Sequence, residues 1–190
     1  MKVLLIRHGV TSWNKEKRAQ GSADIPLDEE GKAQARMLAA RLKGEKWDVL
    51  CASPLLRAVE TAEIIQYSVG APVFYTDERL KEVDGGQIEG TTEEERVARW
   101  GKEWRGIDLG IEKPDKIMER TQDFMAALLN KSKGKRVIVV THGGWIGNWL
   151  KAEEVEGVEG NLDNTSLTEL EWRDGNWLCH TFNCVRHLSD

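Results

Sequence analysis

The chain has 190 residues, of which 40% are hydrophobic and 31% are charged, a composition typical of a globular protein with one sizeable core. A net charge of −5 without a basic stripe argues against nucleic-acid binding. No apolar run has the length of a membrane span, and the start of the chain lacks the features of a secretory signal, so we expect a cytoplasmic protein without a membrane partner. The three cysteines fit neither a zinc site nor a redox pair and are expected to be reduced.

Hydrophobic periodicity and turn residues divide the chain into alternating strands and helices. Short β-branched and leucine-rich runs predict strands at 3–6, 48–52, 72–76 and 136–141. The spacing of apolar side chains predicts helices at 28–44, 53–69, 92–104, 115–131 and 143–150. In the second helix, Ser53 is the expected N-cap and Pro54 the first helical residue. The polar stretch 11–26 and the glycine-rich segment 81–90 are expected to be irregular.

The last part of the chain predicts an antiparallel hairpin, because Asp174-Gly175 separates two strand-like runs, 166–173 and 176–183. Strands that alternate with helices and end in a hairpin indicate an α/β fold, a three-layer αβα sandwich with a mostly parallel central sheet. We expect a single domain over residues 1–190, with a small helical insertion at about 91–116 that forms a cap.

Three of the predicted strands are followed directly by residues suited to anion binding. These segments are Arg7-His8-Gly9, Ser53-Pro54 with Arg57 soon after, and Thr141-His142-Gly143-Gly144. In parallel α/β sheets, ligands bind outside the carboxyl ends of the strands, so the three segments are expected to meet if their strands are neighbours. Two of the segments also lead into helix N-termini, and free N–H groups such as that of Gly143 favour phosphate there.

These residue types are suited to phosphoryl transfer. Two arginines can clamp phosphoryl oxygens through bidentate hydrogen bonds, and a histidine held beside the phosphorus can attack it. The leaving alcohol needs a general acid, for which Glu82 is the candidate and Asp84 and Glu89 are the acidic alternatives. A lone histidine after a strand is more often a satisfied structural residue, so the hypothesis depends on the whole set being present.

Five motifs follow one another over the first 150 or so residues. They are Leu5-Ile6-Arg7-His8-Gly9 with Asn14, Gln20-Gly21 with Asp24, Ser53-Pro54-Leu55-Leu56-Arg57-Ala58, Leu80 to Gly90 around Glu82, and Thr141-His142-Gly143-Gly144. Any one of these motifs is a weak signal, but in this order they resemble the histidine phosphatase superfamily, in its phosphoglycerate mutase-like branch.

The resemblance implies a role for each matching residue. His8 corresponds to the family's phosphorylated nucleophile, and Glu82 to its proton donor. The residues implied to bind the phosphoryl group are Arg7, Arg57 and His142. Those implied to line the pocket are Asn14, Gln20 and Gly21. The family's reaction uses no metal, so neither a metal nor another cofactor is expected here.

Two places depart from the family pattern. Val10 stands where the family usually has Glu or Gln, so we expect a polar contact at the edge of the pocket to be lost. The segment Ile111-Glu112-Lys113 stands where the family usually has Gly-Glu-Ser, and only Glu112 matches. We therefore expect an altered pocket rim and an altered specificity.

The expected function is hydrolysis of a small phosphorylated metabolite by a metal-independent phosphatase. The resemblance allows phosphosugars, phosphoserine, α-ribazole phosphate or a broad range of substrates. A cofactor-dependent phosphoglycerate mutase is the alternative, although such mutases carry longer insertions with extra basic residues, and segment 83–86 here has none. A non-catalytic phosphate-binding protein on the same fold is the third hypothesis. The oligomeric state stays open, with a homodimer as one alternative.

Overall fold

A six-stranded mixed sheet forms the centre of the protein, as seen in a computed structural model that describes residues 1–189. The strands are β1 (Lys2–Arg7), β2 (Val49–Ala52), β3 (Val73–Thr76), β4 (Arg136–Thr141), β5 (Leu167–Arg173) and β6 (Asn176–Cys184). Their order across the sheet is β3-β2-β4-β1-β5-β6. The first four strands pair in parallel, whereas β5 and β6 pair antiparallel. The predicted parallel sheet with a C-terminal hairpin is therefore confirmed.

The register of the central strands brings their carboxyl ends to one edge of the sheet. Arg7 at the end of β1 pairs with Thr141 at the end of β4, and Ala52 at the end of β2 pairs with Val140. Since β2, β4 and β1 are neighbours and run in the same direction, the three segments singled out in the sequence leave the sheet side by side.

Helices cover both faces of the sheet. They are α1 (Ser12–Lys15), α2 (Glu29–Leu42), α3 (Leu56–Val69), α4 (Glu93–Trp100), α5 (Pro114–Lys131) and α6 (Gly143–Ala152). Alternate residues of β4 point to opposite faces: Val137 and Val139 pack in the cluster with α5 and α6, and Ile138 and Val140 pack with α2 and α3. All four are fully buried, which explains the continuous apolar run of this strand. The three-layer sandwich follows from this division of the core.

Two expected helix boundaries are wrong. Ser53 is not an N-cap, because α3 begins at Leu56 and its N-cap is Leu55, which has no side-chain cap bond. Ser53 instead accepts the Leu55 N–H at 3.3 Å within a short turn before the helix. The helix expected at 92–104 ends at Trp100, because Gly101 adopts a φ of +82° and terminates it.

The segment after α4 is joined to the glycine-rich segment that carries Glu82. The Gln87 N–H donates to the Leu109 carbonyl at 2.8 Å, and the Glu112 N–H donates to the Asp84 carbonyl at 2.9 Å. Gly86 allows this approach, because a Cβ at its position would lie 2.3 Å from the Leu109 oxygen. Within residues 1–189, no helix combines the length and the apolar character needed to cross a membrane.

Candidate active site

His8 directly follows β1 and is only 2% exposed. Its Nδ1 lies 2.7 Å from the Gly9 carbonyl, which can only accept, so Nδ1 carries the proton and Nε2 carries the lone pair. Arg57 donates from Nε to this Nε2 across 3.3 Å. Burial, with the nearby charges of Arg57 and Arg7, holds the pKa of His8 well below its usual value. The imidazole is therefore neutral at physiological pH, the form in which a histidine is a nucleophile.

Arg57 is fully buried in the first turn of α3 and points back toward β1. Its two Nη groups donate to the carbonyls of Gly21 and Ala23, each at 2.7 Å. Burial lowers the pKa of Arg57 to about 10, against the opposing effect of the Glu82 charge, and the guanidinium stays protonated at neutral pH. A cation at a helix N-terminus is unfavourable unless an anion lies nearby, so this geometry favours an anionic ligand.

Arg7 supplies a second guanidinium beside His8 and is half-buried. It donates from Nη1 to the Leu162 carbonyl, and its buried Nε has no hydrogen-bond partner within residues 1–189. Burial lowers the pKa of Arg7, while the charges of Glu82 and Asp163 act in the opposite direction. A buried donor without a partner is costly, and a phosphoryl oxygen is the kind of acceptor that would satisfy it.

His142 follows β4 and is fully buried. Its Nε2 lies 2.7 Å from Ser53 Oγ, and its ring centroid lies 5.2 Å from that of His8. Its Nδ1 is buried, and no atom of the described chain forms a hydrogen bond with it. Burial, with the charges of Arg57, His8 and Arg7, holds the pKa of His142 well below its usual value. Ser53 thus orients a second neutral imidazole toward the same pocket.

Glu82 lies over the N-terminus of α6. Its Oε1 accepts the N–H groups of Val83 and Trp145, both at 2.9 Å, and its Oε2 accepts the N–H of Gly144 at 3.0 Å. Gly144 permits this contact, since a Cβ there would lie 2.5 Å from Oε1. Gly143 begins α6, and a Cβ on it would lie 3.4 Å from Nε of Arg7. The helix N-terminus predicted to hold phosphate therefore holds a carboxyl group next to the arginine.

Two of the three residues expected to line the pocket, Asn14 and Gln20, form a network around Thr11. The Oδ1 of Asn14 accepts from the N–H and the hydroxyl of Thr11, both at 3.1 Å, and Thr11 Oγ1 lies 3.0 Å from Oε1 of Gln20. Gly21 has a φ of +50°, and a Cβ there would lie 2.0 Å from Oε1 of Glu89. Asn14 and Gln20 thus shape the loop after His8, and Gly21 contributes a backbone carbonyl to Arg57.

Two side chains fix the loop that follows β1, and the sequence did not reveal their contacts. Thr61 Oγ1 accepts the Gly9 N–H at 3.1 Å and donates to the Arg57 carbonyl at 2.7 Å. Asn164 donates from Nδ2 to the His8 carbonyl at 3.0 Å and to the Gly9 carbonyl at 3.2 Å. Val10, expected at the edge of the pocket, is 9% exposed, and its carbonyl accepts the Asp28 N–H.

A cavity of about 740 Å³ opens beside the carboxyl group of Glu82. Its lining residues are Ser22, Glu78, Lys81, Glu82, Asp84, Gly110, Glu112 and Arg120. Both cations of this lining are already paired: Lys81 lies 2.7 Å from Glu78, and Arg120 lies 2.7 Å from Glu112. His8, Arg7, Arg57 and His142 are not part of the lining, so Glu82 is the candidate site residue that this cavity reaches.

Comparison with known proteins identifies the family. The model of the histidine phosphatase superfamily (branch 1) matches residues 3–185. The chain belongs to the histidine phosphatase superfamily. The same order of motifs had indicated this family from the sequence alone.

Members of the superfamily resemble the protein over nearly its whole length. The uncharacterized phosphatase PhoE of Bacillus subtilis is 34% identical, over 98% of this chain and 96% of that protein. A metal-independent phosphoserine phosphatase of Arabidopsis thaliana is 32% identical, over 98% of this chain and 83% of that protein. The structure of Bacillus stearothermophilus YhfR superposes with a TM-score of 0.88 at 28% identity and 99% coverage of both chains. Phosphoglycerate mutase names also occur among the relatives.

Proposed function

We propose that this protein is a metal-independent phosphatase that hydrolyses phosphomonoesters of small metabolites through a phosphohistidine on His8. The observation that carries the proposal is the unprotonated Nε2 of His8, which lies in a buried pocket at hydrogen-bond distance from the guanidinium of Arg57. Arg7 and His142 add an unpartnered donor and a second neutral imidazole to the same pocket. Little more is required, because phosphoryl transfer depends mainly on positioning and charge stabilisation.

In the first step, the phosphoryl group binds among Arg7, Arg57 and His142, and Nε2 of His8 attacks the phosphorus. The P–Nε2 bond forms as the bond to the leaving oxygen breaks, and Glu82, carrying a proton, donates it to that oxygen. In the second step, water attacks the phosphohistidine while Glu82 takes a proton from it. Inorganic phosphate leaves, and His8 and Glu82 return to their starting forms.

The substrate class is that of small phosphorylated metabolites. One relative is named a phosphoserine phosphatase, and the cavity beside Glu82 has the volume of a small-molecule site. We propose that residues 91–116 cap this cavity, since Gly110 and Glu112 line it. The three cysteines are free thiols, which supports a reducing location such as the cytoplasm.

The mutase alternative is less well supported by the rim of the cavity. A phosphoglycerate carries a carboxylate in addition to its phosphate, and this second anion needs a cation of its own. Lys81 and Arg120 are both held by glutamates, and Asp84 adds a further negative charge. A rim of this kind favours a leaving group without net negative charge.

The experiment is a phosphate-release assay over a panel of metabolites, with wild-type protein and the H8A variant. We expect release from some of the panel by the wild type, no change with a chelator of divalent cations, and no release by H8A. The same assay on 3-phosphoglycerate, with and without its bisphosphate, separates hydrolase from mutase. Isomerisation faster than phosphate release would overturn the hydrolase, and equal release by wild type and H8A would overturn the catalytic role.

A further inference from the structure

Among the described residues, no strand pairs with the backbone at 79–82, and side chains alone satisfy the carbonyls of this stretch. The Arg79 carbonyl accepts from Nε1 of Trp145 at 2.7 Å, and the Leu80 carbonyl accepts from the Thr141 hydroxyl at 2.7 Å. Arg120 on α5 donates to the Arg79 and Lys81 carbonyls at 2.9 and 2.7 Å, and to the Glu82 carbonyl at 3.1 Å. The place of the Glu82 carboxyl group is therefore set by a few side chains from other elements.

Arg120 uses its complete set of donors in this arrangement. Besides the three carbonyls, Nε and Nη2 donate to the two carboxylate oxygens of Glu112 at 2.7 and 2.8 Å. A guanidinium has five N–H groups in a fixed plane, so all five are used and its orientation is determined. A lysine in this place has a compact charge without the planar fork and could not make these contacts together.

Glu112 completes the link between Arg120 and the segment after Glu82. Its Oε2 also accepts the Asp84 N–H at 3.1 Å, and its own N–H donates to the Asp84 carbonyl. Burial acts to raise the pKa of Glu112, but the hydrogen bonds from Arg120 and Asp84 outweigh it and hold this pKa below its usual value. Glu112 is therefore charged at neutral pH. It links Arg120, which holds the backbone up to Glu82, with Asp84, which lies after Glu82. It is the one residue of Ile111-Glu112-Lys113 that matches the family pattern.

We infer that Arg120, oriented by Glu112, is a positioning residue for the general acid Glu82. The inference rests on the proposed function, in which Glu82 protonates the leaving oxygen. A displacement of about 1 Å in a catalytic group can lower a rate about a hundredfold, so the loss of three contacts to the Glu82 backbone is expected to be visible in catalysis. Arg120 does not touch the reacting atoms; it acts through the carboxyl group of Glu82.

The test compares two phosphate esters with different needs for a general acid. The anion of p-nitrophenol leaves without protonation, whereas an alkyl alcohol such as that of β-glycerophosphate needs a proton. We expect E82Q to lose about 100-fold or more of kcat on the alkyl ester and far less on p-nitrophenyl phosphate. We expect R120M to show the same asymmetry, with a loss of about 10- to 100-fold on the alkyl ester. R120K should not restore the alkyl activity, because the planar fork is absent.

The matched control is R136M. Arg136 also pairs with a glutamate, Glu45, but it begins β4 and therefore lies at the opposite edge of the sheet from the strand ends that carry His8 and His142. R136M should retain both activities. If R120M does not fold, as judged by circular dichroism, E112Q carries the same test, since it removes the charge that orients Arg120.

The outcomes separate the inference from the function on which it rests. The double variant R120M/E82Q should lose no more on the alkyl ester than E82Q does, because two residues that act as one unit are not additive. If R120M loses equal activity on both esters, or retains both activities in full, the positioning role of Arg120 is overturned. The proposed function survives that result as long as E82Q loses more activity on the alkyl ester than on p-nitrophenyl phosphate. If E82Q loses equal activity on both esters, the role of Glu82 as proton donor and the positioning role of Arg120 are both overturned.

Discussion

Arg57 donates through Nε to Nε2 of His8 across 3.3 Å, and this nitrogen is the proposed nucleophile. The Nε2 lone pair accepts this N–H, so a bound phosphoryl oxygen must take over the Arg57 donor before Nε2 attacks, while the Gly9 carbonyl holds the other ring nitrogen at 2.7 Å. We predict that ¹⁵N NMR of histidine-labelled protein shows His8 as the neutral Nδ1–H tautomer, and that it stays neutral well below pH 6.5. A protonated ring at pH 6.5, or the Nε2–H tautomer, would contradict this geometry.

Substitution of Gly144 tests the contact between Glu82 and the N-terminus of α6. The added Cβ of G144A would lie 2.5 Å from Oε1 of Glu82 and displace the carboxyl group. We predict a fall in kcat on alkyl phosphates of about 100-fold, the scale of a general acid. G147A is the matched control, because its Cβ meets nothing within 4 Å in the same helix. It should retain activity and gain about 0.4–1 kcal/mol in unfolding free energy. Equal activities of the two variants would refute the assignment.

Ser53 is predicted to act by orienting His142. S53A leaves the buried Nε2 of His142 without its partner at 2.7 Å, which costs about 1–3 kcal/mol in unfolding free energy. Phosphate release should slow as well, because the second imidazole loses its fixed orientation. The control is S166A, since the hydroxyl of Ser166 is equally buried and has no hydrogen-bond partner in the described part of the chain. Urea denaturation should give a lower midpoint for S53A than for the wild type, and an unchanged midpoint for S166A. Similar midpoints for the two variants would argue against the role of Ser53.

The two buried histidines predict how stability depends on pH. His8 and His142 have a usual pKa of 6.5, and in the folded protein both are well below it. Below pH 6.5 the unfolded chain therefore binds protons that the folded protein does not bind, and the unfolding free energy falls as the pH falls. Each histidine contributes a slope of up to about 1.4 kcal/mol per pH unit until its lowered pKa is reached. Urea denaturation between pH 7 and pH 5 measures this slope. H142N should lower the slope by the contribution of one histidine. An unfolding free energy that does not change between pH 7 and pH 5 would contradict the burial of the two histidines in their neutral form.

Much of the fold and the core of the site could be predicted, because the relevant signals are local. The apolar run of β4 and the motif around His8 lie within a few residues each, and parallel pairing of β1, β2 and β4 brings the strand ends together. Family resemblance added the proposed roles of residues in these motifs. The elements predicted from periodicity agree with the structure apart from their ends.

The rest depended on contacts between distant parts of the chain. The bond of Ser53 to His142 joins residues 89 positions apart, and that of Arg120 to the Glu82 carbonyl joins residues 38 apart. No periodicity encodes such pairs, and Ser53 before Pro54 has the local pattern of an N-cap. The start of α3 at Leu56 was missed for this reason, since the hydroxyl had a tertiary partner that the local pattern could not reveal.

Trapping the covalent intermediate tests the central claim most directly. Rapid mixing of the protein with a hydrolysed substrate, followed by an alkaline quench and peptide mass spectrometry, should find one phosphoryl group on His8. The modification should be lost in acid and absent from H8A, and E82Q should form it slowly from an alkyl ester and readily from p-nitrophenyl phosphate. Turnover without any phosphohistidine, or a phosphoryl group on another residue during turnover, would contradict the account.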